Sequence, residues 1–314
     1  MSKRPNLFLL TSLIAVMVLS WSFNFVVAKA GLRQLDPMTL ASFRVVLATV
    51  FISGVYLVAR RANPRVAARR FDRQDFWVFA RLGVVGVAMN QVLFTVGLNY
   101  TTVSHSSLII GTGPITILVL AWLQGLEKIT VKKVLGMAFS FIGVAILAAE
   151  DGINLQTGTL RGDLITLAGS IAFALYTVAA KPVAHKYDSL TMNTYNYWIG
   201  GTLILPLAIR QGIKLDWGAV GWQGWFAVVY MAAIASVVAY LIFYWVLGYL
   251  SASRLAAFSY LQPILVTLLG VVFLGEKVTG HLVWGGGLIL AGVYLTELGP
   301  RENGSKSNSE EAEK

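Results

Sequence analysis

The residues able to do chemistry in this chain are amides, hydroxyls and aromatic rings set inside long apolar runs. Trp21 and Asn24 share one run, and Asn90 and Gln91 are adjacent in another. Tyr176, Ser236, Tyr240, Tyr244 and Gln262 follow in later runs. Polar groups deep in hydrocarbon are costly, so they face the protein interior or a watery cavity. There, amides and hydroxyls hold a solute by hydrogen bonds, and rings offer apolar surface. No Asp or Glu falls in the middle of an apolar run. The cavity so read is neutral, without the buried carboxylate that would trade protons against organic cations. His105, near one end of its run, is the candidate titrating group. His105, His185 and His281 sit in separate segments, and no HExxH, GxSxG or GxxxxGKS/T motif is present. No catalytic residue, metal site or cofactor is therefore expected, and the chemistry is binding rather than bond breaking.

These residues need elements that span a bilayer. Hydrophobic residues make up 56% of the chain and charged residues 13%, with a mean hydropathy of +0.69. A soluble domain carries about 25% charged residues. The expected fold class is an all-α membrane protein, since a span needs about 20 apolar residues. Ten runs qualify, at 8–29, 38–59, 76–98, 102–123, 132–149, 162–181, 190–209, 222–247, 253–274 and 281–298. The first is read as a retained span, because no small-residue cleavage pattern follows it. The net charge of +10 lies in short clusters between runs. It points to the lipid bilayer rather than to nucleic acid. The absence of cysteine removes disulfides and thiol chemistry.

The chain repeats itself at an offset of 149 residues. Tyr100 falls on Tyr249, Ser104 on Ser253, Pro114 on Pro263, Glu127 on Glu276 and Lys128 on Lys277. The register extends back to Phe94 on Phe243 and forward to Gly136 on Gly285 and Gly143 on Gly292. Five spans lie in each copy. Five is odd, so the second copy enters the membrane from the opposite side. The expected organisation is ten transmembrane helices as two inverted five-helix repeats. The first repeat covers 8–149, a linker 150–161, the second repeat 162–298, and a disordered cytoplasmic tail 299–314.

Pro114 and Pro263 each remove a backbone donor in the middle of spans four and nine. They read either as ordinary helix kinks or as paired discontinuities beside a central cavity, placed to serve gating. Lys29 and Lys181 end spans one and six, matched at an offset of 152, as interface anchors or gate-flanking cations. Gly136, Gly143, Gly285 and Gly292, spaced by seven in spans five and ten, read as packing glycines. Gly200, Gly201 and Pro206 read as softening span seven. Arg44 and Arg81 lie within spans two and three and read as snorkelling to an interface, with gate ion pairs or a contact to a substrate carboxylate as the alternatives. With the N-terminus inside, 17 of the Lys and Arg residues fall inside and 6 outside. Both termini are then cytoplasmic.

The chain resembles the drug/metabolite transporter superfamily, in its ten-helix EamA-like branch. The likeness rests on the two halves, the Trp21–Asn24 region with Lys29 and the Phe43–Arg44 pair. It rests further on Pro114, Pro263 and the GLEK and LGEK ends at 125–128 and 274–277. It implies an alternating-access transporter of the bacterial inner membrane, similar to exporters of aromatic and neutral amino acids. It also implies that helices one, three, four, six, eight and nine surround the cavity. The expected function is export of a small-molecule substrate by a secondary transporter, acting as a monomer, with a homodimer as the alternative. A multidrug or nucleoside/sugar carrier is the second reading, and a passive pore or membrane scaffold the third.

Overall fold

Apolar runs in a bilayer offer their backbone groups no partner but one another, so each closes on itself as a helix. The computed structural model describes residues 6–62, 72–101, 106, 109–150, 160–274 and 280–298. Among these the fold is all-α, with no strand. Its helices are α1 (Leu7–Gly31), α2 (Pro37–Ala62), α3 (Arg73–Tyr100), α4 (Gly113–Leu123) and α5 (Val131–Glu150). In the second half come α6 (Leu160–Ala180), α7 (Ser189–Lys214), α8 (Trp222–Leu247), α9 and α10 (Gly280–Glu297). Helix α9 is composite: Ala252–Ala257, a 3-10 turn over Phe258–Tyr260, then Leu261–Leu274. Starts are capped by short polar side chains. Asn6 Oδ1 accepts from Phe8 N–H at 3.1 Å, and Asp188 Oδ1 accepts from Thr191 N–H at 2.9 Å. His105, the stretch 63–71, most of the linker, the LGEK residues 275–277 and the tail lie outside the described residues.

Helices α1, α2, α3, α6 and α8 are each long and apolar enough to cross a membrane. The two halves share one irregularity. Residues 82–89 of α3 and 231–238 of α8 are π-helical, and these ranges differ by the repeat offset. Asn90 N–H donates to Val85 O, and Ala239 N–H donates to Ile234 O. A π-turn loosens carbonyls from the regular ladder, and inside a membrane protein these need other donors. In α8 they find them. Trp21 Nε1 donates to Ala235 O at 3.1 Å. Asn193 Nδ2 lies 3.3 Å from Ser236 O and 3.4 Å from Val237 O.

Of the two readings of the prolines, the structure has interruptions rather than simple mid-helix kinks. Pro114 occupies the first turn of α4, where its missing N–H has no bond to lose. A turn at Gly111–Thr112 precedes it. Pro263 lies in the first turn of the last piece of α9, just past the 3-10 turn. Both prolines thus open the second part of an interrupted helix.

Close helix pairs are built on small residues. An ideal Cβ on Gly136 would lie 2.6 Å from Gly292 O, and one on Gly143 would lie 2.5 Å from Gly285 O. Helix α5 therefore lies backbone against backbone with α10. Gly200 and Gly201 do not soften α7, which runs unbroken through both of them and Pro206. Gly200 receives Val87 of α3 and Gly201 receives Thr49 of α2. The reading of Gly200 and Gly201 as flexible points is corrected by this packing.

Candidate substrate cavity

A cavity of about 110 Å³ lies between the two halves. Its wall is drawn from α1, α2, α3, α4, α6, α8 and α9, while no described residue of α5, α7 or α10 lines it. Of the expected wall residues, Trp21, Asn24, Asn90, Gln91, Tyr240 and Gln262 line it, and so does Pro114. Gln91 and Tyr240 are the same position in the two repeats, each two residues past the π-segment of its helix. A smaller pocket bounded by Pro263 shares Phe25, Ile110, Ser259 and Gln262 with the main one. The interrupted parts of the fourth and ninth helices therefore border the cavity directly.

Tyr176, Ser236 and Tyr244 lie behind the wall rather than on it. The Tyr176 and Tyr244 hydroxyls are bonded to each other, and Asn196 Nδ2 donates to Tyr244 OH at 2.5 Å. Their polar ends are thereby satisfied within the bundle. Their rings belong to an aromatic cluster with Trp21, Phe173, Tyr240 and Phe243. Trp21 is 5.5 Å from Tyr240 and 5.9 Å from Phe243 between ring centroids, and Tyr176 stacks on Phe243 at 6.1 Å. Tyr176 precedes Lys181 by about one turn of helix, so the cluster fills the bundle between the cavity and the Lys181 end. Lys29 and Lys181 themselves are not on the wall.

Arg44 corrects two expectations. It is 4% exposed and lines the cavity, so it does not snorkel, and α2 joins the wall through it. It stands seven residues past Pro37, about 10 Å along the helix, too deep and turned too far inward to reach an interface. The wall is therefore cationic, not neutral. Arg81, by contrast, is exposed. Arg44 Nε and Nη2 each donate to Ser236 Oγ at 3.3 Å. Ser236 Oγ donates to Gln91 Oε1 at 3.3 Å, and Gln91 Nε2 donates to Tyr197 OH. Asn90 Nδ2 donates to Gly169 O at 3.0 Å. Three wall residues keep buried polar atoms without a partner: Asn24 Oδ1, Arg44 Nη1 and Thr166 Oγ1. Sequence reasoning missed Phe94, Ile117, Thr166, Ser170 and Phe173 on the wall. Apolar and hydroxyl residues of this kind occur on every face of these helices, so type alone does not single them out.

The model of the EamA-like transporter family matches the chain twice, over residues 9–149 and 160–298. The chain is similar to an uncharacterized transporter of Archaeoglobus fulgidus, 26% identical over 290 residues, 90% of this chain and 96% of that one. It is also similar to a probable terminal-alkyne amino-acid exporter of Streptantibioticus cattleyicolor. That relative is 26% identical over 295 residues, 93% of this chain and 95% of its own length. A solved crystal structure, 18% identical, superposes with a TM-score of 0.73 over 91% of this chain and 98% of that one, a likeness of fold alone. With a family model covering both halves, a helical membrane fold and one solute-sized cavity between them, the chain belongs to the EamA-like transporter family and is a multi-pass membrane carrier of small metabolites, not an enzyme.

Proposed function

We propose that the chain exports amino acids, aromatic and neutral ones foremost, across the bacterial inner membrane by alternating access, with both termini cytoplasmic. The observation that carries this reading is the cavity itself. Ring surfaces from Trp21, Phe94, Phe173 and Tyr240 share it with the amides of Asn24, Asn90, Gln91 and Gln262. That mixture suits a solute with one apolar and one polar end. Asn24 Oδ1 is a buried acceptor without a donor, and a solute ammonium would supply one. The volume is of the order of the engineered protein cavity of about 150 Å³ that accepts benzene. A small side chain fits as the cavity stands, and a large ring needs the Trp21–Tyr240–Phe243 cluster to shift.

Alternating access requires elements with two arrangements. The interrupted fourth and ninth helices, each with a proline at the start of its second part, are the elements placed to move. The excess of basic residues on one side supports the orientation. The probable terminal-alkyne amino-acid exporter among the relatives adds support for the substrate class. A cation on the wall weighs against free organic cations as substrates.

The test is counterflow in proteoliposomes loaded with single unlabelled amino acids. Saturable exchange of a labelled neutral or aromatic amino acid is expected. Alanine variants at Asn90, Gln91 and Tyr240, at matched expression, should each weaken its half-saturation concentration. Flux that never saturates would support a pore, and exchange confined to nucleosides or sugars would replace the substrate class.

A further inference from the structure

We infer that Arg44 is the group that recognises a carboxylate on the transported solute, and that Ser236, Gln91 and Tyr197 position it. The inference rests on the cavity being the transport site. A guanidinium stays charged in proteins, and burying it without a counterion costs several kcal/mol. Arg44 is buried at the cavity wall, and no carboxylate among the described residues pairs with it. No Asp or Glu is among the described residues of the cavity wall. Among the described residues the Arg44 guanidinium bonds to one neutral hydroxyl, and Nη1 has no partner. The charge is therefore left for something that enters the cavity.

The hydrogen-bond directions around it are forced. Arginine only donates, so Ser236 Oγ accepts from Nε and Nη2. The single Ser236 hydroxyl proton then goes to Gln91 Oε1. That leaves the Gln91 amide nitrogen to donate to Tyr197 OH. This chain ties one edge of the guanidinium to α8, α3 and α7, and leaves the Nη1 side uncommitted. A planar fork held in this way matches a carboxylate, which takes two parallel N–H bonds from it. With Asn24 Oδ1 and Thr166 Oγ1 on the same wall, the cavity offers a donor fork and free oxygen acceptors, the complement of a zwitterion.

The experiment is proteoliposome counterflow with three solutes that share one side chain: the amino acid, its carboxamide and the amine lacking the carboxyl group. Wild-type protein is expected to take the amino acid and to bind the amide and amine about a hundredfold more weakly. Arg44→Gln should bring the amino acid down to the level of its amide and weaken the amide far less than the acid. Ser236→Ala should raise the half-saturation concentration of the acid more than that of the amide, a ratio that a general packing defect would not move. Should Arg44→Gln fail to fold, Arg44→Lys keeps the charge and loses the fork, and the wild-type solute series needs no variant. Equal use of acid, amide and amine by the wild type overturns the inference. So does an unchanged half-saturation for the acid in Arg44→Gln. Exchange of small carboxylates that lack an amino group, with no amino acid carried, would overturn the amino-acid reading and retain Arg44. Exchange of uncharged solutes alone would overturn both.

Discussion

Lys29 and Lys181 make the same pair of bonds, one in each half of the chain. Lys29 Nζ donates to Leu98 O at 2.6 Å and to Thr101 O at 3.0 Å. Lys181 Nζ donates to Leu247 O at 2.7 Å and to Leu250 O at 2.7 Å. The acceptors differ by the repeat offset of 149. The lysines differ by 152, because 69 residues separate Lys29 from Leu98 and 66 separate Lys181 from Leu247. Each ammonium caps the carbonyls at the end of α3 or α8, just before the interrupted helix that follows. The last carbonyls of a helix carry partial negative charge, which a lysine neutralises.

Matched geometry predicts matched energetics. Lys29→Met and Lys181→Met should each lower stability by about 2 kcal/mol, since charge-assisted bonds to carbonyls are lost. Thermal unfolding in detergent would measure both. A large loss in one variant and none in the other would show that only one lysine acts as a cap.

Glu127 ties the two repeats together at one end of the bundle. It is buried, takes a salt bridge from Lys133 at 2.8 Å, and accepts Ser253 N–H at 3.0 Å and the Ser253 hydroxyl. Ser253 is in the first turn of α9, where a carboxylate also meets the positive end of the helix. Glu127→Ala should cost about 3–5 kcal/mol, because it takes the carboxylate from a buried ammonium. Glu127→Gln with Lys133→Met should melt higher than Glu127→Gln alone. Equal melting of the two would mean that the buried charge is not what the fold pays for.

Gly86 makes room for a tyrosine. An ideal Cβ there would lie 1.9 Å from Tyr176 Cδ2, inside the ring's own volume. Gly86→Ala should destabilise by about 1–3 kcal/mol and displace the aromatic cluster. Gly54, in α2, has nothing within 4 Å of such a Cβ. Gly54→Ala should be neutral or stabilising by up to about 1 kcal/mol, from helix propensity alone. The contrast between the two melts is the check.

Outside the spans, Lys186 bridges Asp72 at 2.8 Å and Asp75 at 2.6 Å. The hydrogen bond from Lys186 holds the Asp72 carboxyl below its ordinary 3.8, and bonds to both carboxylates raise the Lys186 ammonium. The aspartate's contribution is complete above 3.8 and is lost as pH falls through the lowered folded-state value. The lysine's is complete below 10.5 and is lost as pH rises through the raised value. Asp72→Asn should therefore lower the melting temperature slightly and by a constant amount between about pH 5 and 9, with the difference closing only in stronger acid. A difference that varied within that window would assign the effect to another group.

Most of the architecture is legible in the residues. Hydropathy gives the spans nearly to their ends, as with α8, whose expected bounds of 222–247 match the helix. The offset of 149 anticipates the matched irregularities. What stays hidden is direction. A span pattern says that Arg44 is two turns deep, not that its side chain turns to Ser236 rather than to lipid. Tyr176 and Tyr244 share composition and depth with Tyr240, yet a bond between their own hydroxyls holds them off the wall. The π-segments leave no residue signature, since they are defined by main-chain bonds that end on Asn90 in one half and on Ala239 in the other.

Those π-segments carry a history. Closing a turn around one additional residue rotates everything beyond it by about 100° relative to an unbroken α-helix. That rotation sets which face of α3 and α8 Gln91 and Tyr240 occupy. The same insertion stands at the same register in both halves, so it belonged to the single ancestral unit and was copied with it. The two halves have since diverged to an amide in one and a phenol in the other at the very position the insertion aims. Duplication thus supplied two inherited pointing angles, and later substitution made the single chamber between them chemically lopsided.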